Sequence, residues 1–121
     1  MNLKAFSLAA VLLLAAAFCG AEELKVLMVG NSFSQSVLRD LPNIVKASGK
    51  DKLKLAQAMI GGCSMQRHCA EYGKSEVNPA HRPYWTNLKL DNRPKNKVSL
   101  QDLLTADQWD IVTIQQASHE S

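Results

Sequence analysis

Three short stretches of this chain hold residues whose types and spacing suit acyl transfer: Gly30-Asn31-Ser32-Phe33-Ser34, Gly61-Gly62-Cys63-Ser64 and Gln115-Gln116-Ala117-Ser118-His119. Ser32 stands where an apolar run ends and a helical pattern begins. Unpaired backbone N–H groups and the helix dipole favour a developing negative charge at such a place. Gly30, Gly61 and Gly62 let backbone donors approach one reacting atom at distances that an alanine would forbid. The amides of Gln115 and Gln116 and the ring N–H of His119 offer further donors for an oxyanion. Asn31, Gln115 and Gln116 are candidates for substrate contact. The same residues admit a plainer reading, in which Ser32 or Ser34 is a helix N-cap and the glycines are turn residues. Ser34 replaces the second glycine of a Gly-x-Ser-x-Gly elbow, and no Gly-Lys-Ser/Thr follows for a phosphate loop.

The elements that must position these stretches follow from the apolar pattern. Residues 24–29 form a short apolar run stopped by Gly30 and predict a buried central strand. Val37, Leu38, Leu41, Ile44 and Val45 have helical spacing, so residues 34–48 predict a helix closed by Gly49, with Pro42 bending or restarting it. Residues 53–60 predict a second strand. Residues 64–96, polar and carrying Pro79, Pro83 and Pro94, predict a long connection with a short helical piece and a hairpin between Tyr84 and Val98. Ser99 followed at the third place by Asp102 predicts a capped short helix to Leu104. The β-branched run at 109–114 predicts a third strand. The order implies an α/β fold, a flavodoxin-like parallel sheet with helices on both faces, the third strand lying on the far side of the first from the second. Ligands in open α/β sheets bind at the resulting switch point, where the three stretches converge.

The chain has 121 residues, 46% hydrophobic and 21% charged, which excludes a disordered tail and leaves room for one domain. Residues 1–21, a short charged start and an apolar run at 5–18, read as a signal peptide cleaved after Ala21. The remaining residues 22–121 are expected to be secreted or periplasmic, with no membrane attachment after cleavage. Acylation of Cys19, the lipoprotein alternative, is disfavoured by the bulky Phe18 before it. Without Lys4 there are 13 Lys+Arg against 11 Asp+Glu, a formal charge of +2, which gives no case for a nucleic-acid partner. Cys63 and Cys69 are either a local disulfide or two thiols, and neither they nor His68 and His81 have zinc-site spacing. His68 reads as a surface helix residue, His81 as a loop residue, and the lysines at 46, 50, 52 and 54 as a solvated helix end and strand edge. Tyr84 and Trp85 read as hairpin contacts, with a sugar platform as the alternative.

The wording Gly-Asn-Ser-Phe-Ser, Gly-Gly-Cys-Ser, Val-Ser-Leu-Gln-Asp and Gln-Gln-Ala-Ser-His resembles, in order and spacing, the SGNH (GDSL-type) hydrolase superfamily, in particular a secreted bacterial group of unknown specificity within it. The resemblance implies a three-layer α/β/α domain. Ser32 would be the nucleophile and Gly61 or Gly62 an oxyanion donor. Ala117, Ser118, His119 and Glu120 stand where the superfamily has Gly-x-Asn-Asp, so His119, Gln115 or Gln116 would replace the asparagine donor. The superfamily's Asp-x-x-His does not occur in the sequence, so the chain looks like the N-terminal half of such a domain, truncated after the third strand and expected to be inactive as it stands. The implied function is an extracytoplasmic serine hydrolase acting on a small-molecule or glycan ester, possible deacetylation included, with no metal or organic cofactor. The alternative is a non-catalytic flavodoxin-like module binding phosphate, flavin or glycan at the same crevice.

Overall fold

The computed structural model describes residues 23–49 and 52–117; the signal peptide expected at 1–21 lies outside the described residues. The elements are β1 (Glu23–Gly30), α1 (Ser34–Ser48), β2 (Lys52–Met59), α2 (Met65–Val77), α3 (Leu100–Leu104) and β3 (Ile111–Ile114). The three strands make one parallel sheet in the order β2-β1-β3, so the fold is α/β with the expected topology, consistent with a flavodoxin-like arrangement. Among the described residues no helix is long and apolar enough to cross a membrane.

Register explains the two faces. Leu27 pairs with Ala56 and Val29 with Ala58, and paired residues of parallel strands point to the same side. These four join Ile60, Cys63, Tyr84, Val98, Leu100 and Leu103 in the main core, beneath α2 and α3. Met28 and Gln57, the intervening pair, face α1, where Gln57 Nε2 donates to Ser34 Oγ at 2.7 Å. Gly49 ends α1 in the left-handed conformation, φ 66°, with its N–H on the Lys46 carbonyl. Pro42 does not restart α1, which runs as one helix from Ser34 to Ser48. The helix survives because its single missing donor falls on a helix face that is partly solvated.

The connection after β2 is more regular than its composition predicts. Ser64 accepts from the Arg67 N–H and starts the 13-residue α2. The inward side of α2 is polar: His68, Glu71 and Ser75 are its buried residues. His68 is 1% exposed, not a surface residue; its ring stacks on Tyr84 and its Nδ1 lies 2.8 Å from the Tyr84 hydroxyl. Tyr84 pairs antiparallel with Val98, and Trp85 with Met59, so the hairpin expectation holds as isolated bridges. Fully buried, Tyr84 is core and cannot be a sugar platform. Ser99 and Asp102 form the expected capping box. Lys54 is not merely solvated, because with Lys25 it binds Asp107, holding that carboxylate well below its usual range. Cys63 is buried, Cys69 exposed, and the two are not bonded.

Candidate functional site

The carboxyl ends of the strands bring the first two stretches and the start of the third together, and Asn31 is the residue that joins them. It is 1% exposed. Its Nδ2 donates to the Cys63 carbonyl at 3.2 Å and to the Gln116 carbonyl at 3.4 Å, while its Oδ1 accepts from the Phe33 N–H at 3.1 Å. One buried amide thus ties all three loops as a structural clamp. Backbone bonds extend the junction: Ile60 N–H donates to the Gly30 carbonyl and Gln115 N–H to that of Val29.

Ser32 is exposed on this junction, and its hydroxyl has no hydrogen-bond partner among the described residues. Ser34, not Ser32, is the buried serine: its Oγ donates to the Asn31 carbonyl at 2.7 Å and accepts from Gln57. Neither serine is the N-cap of α1, a place taken by Phe33 without a side-chain cap. The backbone N–H groups of Ser32, Gly61 and Gly62 make no hydrogen bond among the described residues, which leaves them free to donate to a ligand. Gly62 has φ 63°, a conformation that L side chains rarely adopt, and the space beside Gly61 is open. Gly30 is required by close packing, because a Cβ there would lie 2.9 Å from Ser34 Oγ and 3.1 Å from Gln115 Oε1.

Gln116 Oε1 accepts from the Met65 N–H at 2.9 Å and so fastens the first turn of α2 to the loop after β3. Gln115 turns toward α1, its Oε1 buried without a partner, beside a cavity of about 450 Å³ lined by Met28, Val37, Thr113 and Ile114. His119 lies outside the described residues. Neither described imidazole hydrogen bonds to Ser32. His68 is engaged with Tyr84, and burial, with the nearby Arg67, pushes its pKa down. His81 Nε2 binds Glu71, whose carboxyl is held below the usual range by that bond and by Lys74. Burial pushes the Cys63 thiol up. No cluster of three or more candidate metal ligands occurs among the described residues. Asn31 as clamp and Ser34 with Gln57 as its support were not legible as such, although the polar residues Asn31 and Ser34 on either side of the exposed Ser32-Phe33 pair were the available signal.

The fold has a solved counterpart. The chain is similar to a DUF4886 family protein. That protein, from Bacteroides uniformis ATCC 8492, is 32% identical, and its crystal structure superposes with a TM-score of 0.59. The match covers 80% of this chain and 37% of the neighbour, so the chain spans little more than a third of that protein's length. No family model matches the sequence, and neither does any curated protein.

Proposed function

We propose that this chain supplies the nucleophile and oxyanion-binding loops of an SGNH-type serine hydrolase that cleaves esters by acyl transfer. The observation that carries the reading is Ser32: an exposed hydroxyl, unpartnered among the described residues, on a loop that one buried asparagine ties to the loop carrying the unbonded N–H groups of Gly61 and Gly62. In this mechanism Ser32 Oγ attacks the ester carbonyl and its proton passes to a base. The carbonyl oxygen becomes an oxyanion that the backbone donors stabilise, worth about 3 kcal/mol for each well-aimed donor. Collapse expels the alcohol, and water then releases the acid. His119 is the one histidine on the third loop, and it is a candidate for the third donor. Because a missing base costs about 10⁴ or more in kcat, the 121 residues by themselves are expected to turn over p-nitrophenyl acetate no faster than their Ser32→Ala variant.

The test is labelling by a fluorophosphonate probe, applied to this chain and to a chimera that joins residues 23–117 to the remainder of the DUF4886 neighbour. Labelling of the chimera that disappears in Ser32→Ala supports the nucleophile. Its absence, or its survival in that variant, overturns the assignment.

A further inference from the structure

The rim of the junction is apolar and uncharged in a way that the loops' composition alone does not require. Phe33 is 55% exposed and Met65 39% exposed, although each is within one hydrogen bond of the clamp: the Phe33 N–H on Asn31 Oδ1, the Met65 N–H on Gln116 Oε1. The Asx turn holds Phe33 in helical backbone conformation, φ −65° and ψ −30°, immediately after Ser32. Its ring therefore sits on a fixed frame while remaining in water, an arrangement with a cost that burial in the protein does not offset. Across the described residues of the three loops, 30–36, 60–66 and 115–117, no side chain carries a charge at neutral pH. The nearest basic residue along α2, Arg67, points to Glu71. The exposed acid–base pair of α1, Arg39 and Asp40, is mutually neutralised.

We infer that Phe33 and Met65 form the substrate-recognition rim of this site and select an uncharged ester that presents an apolar face, whether an aryl or alkyl group or the C–H face of an acetylated sugar. The inference rests on the reading of Ser32 as the reacting group for the word ester, but the rim itself is read by binding alone. An aromatic ring offers such a face dispersion and C–H contact at low entropic cost, and a methionine adapts to its outline. A carboxylate brought to the same place would lose hydration, and the nearest cation along α2, Arg67, is already shared with Glu71.

The protein as it stands is titrated with phenyl acetate, with 4-acetoxybenzoate, which is the same ester carrying a carboxylate, and with methyl 6-O-acetylglucoside. The readout is the NMR signals of the Phe33 ring and the Met65 methyl. The expected result is saturable shifts of both signals with phenyl acetate or the sugar ester, whichever of the two binds identifying the source of the apolar face. Binding of 4-acetoxybenzoate is expected to be weaker by about fivefold or more, and Phe33→Ser to weaken the neutral ligand by about fivefold. Phe33 is exposed, so its variant keeps the fold, and unchanged signals from buried Leu27 and Tyr84 check this. No binding by either neutral ester, equal binding of the charged one, or binding indifferent to Phe33→Ser overturns the inference. Failure of the hydrolase reading looks different: neutral esters still bind at Phe33 while Ser32 resists the fluorophosphonate.

Discussion

Strands β1 and β3 lie side by side, in register, with similar apolar sequences and opposite fates. Leu27 and Val29 of β1 are 0% and 3% exposed, whereas their partners Val112 and Ile114 on β3 are 49% and 46% exposed on the same face of the same sheet. Tyr84, Val98, Leu100 and Leu103 roof β1 and β2; among the described residues nothing roofs β3 to the same degree. β-branched composition therefore suits a strand to a two-sided interior without providing that interior, which has to come from another layer. The site belongs to the first regime at its base and the second at its edge. Asn31 anchors it to the sealed part, while Gln115 and Gln116 follow directly from the bare strand.

Core truncations should separate the two strands most widely. Leu27→Ala is expected to cost about 3 kcal/mol, the usual range for a sealed leucine, and Val112→Ala under about 1 kcal/mol. Urea denaturation of both variants measures this, and equal losses would erase the contrast. Next in size is the clamp. Asn31→Ala strands two carbonyls and one N–H and should destabilise by about 2 kcal/mol, with amide exchange rising in all three loops together. If only the loop at 30–34 loosens, the junction is not one unit.

Acid should act on the roof before the edge. The buried His68 is held neutral in the fold, so an unfolded chain binds the extra proton and stability falls as pH drops below about 6.5. Glu71, its folded pKa depressed first by His81, adds stability above about pH 4.3 that is lost as pH falls through the lowered value. Melting temperatures between pH 7.5 and 3.5 should show both losses, and His68→Gln should flatten only the first. The smallest effect on stability belongs to Val112→Lys on the exposed edge, within about 0.5 kcal/mol, yet it should cut aggregation, read by light scattering at high concentration.

The sheet was legible because its signals are local: apolar runs end at Gly30 and at Gly61, and Ser99 with Asp102 announces α3. Of α2 only a short helical piece was legible, because the stripe its 13 residues bury is His68, Glu71 and Ser75, and the partners Tyr84 and His81 are supplied by the fold and not by periodicity. The loops that converge could be named from their positions after the strands. That Asn31 would face inward and Ser32 outward depends on the Phe33 turn and on carbonyls 32 and 85 residues away, which no short pattern records.

The chain's two tryptophans happen to watch opposite ends of β2. Trp109 gives its indole N–H to the Leu103 carbonyl and has the Lys54 ammonium 5.6 Å from its ring, while Trp85 exchanges both backbone bonds with Met59, beside the Gly61-Gly62 turn. Replacing either one with phenylalanine leaves a single fluorophore. Stopped-flow emission can then time when the foot of the sheet and its crest come apart, without any dye.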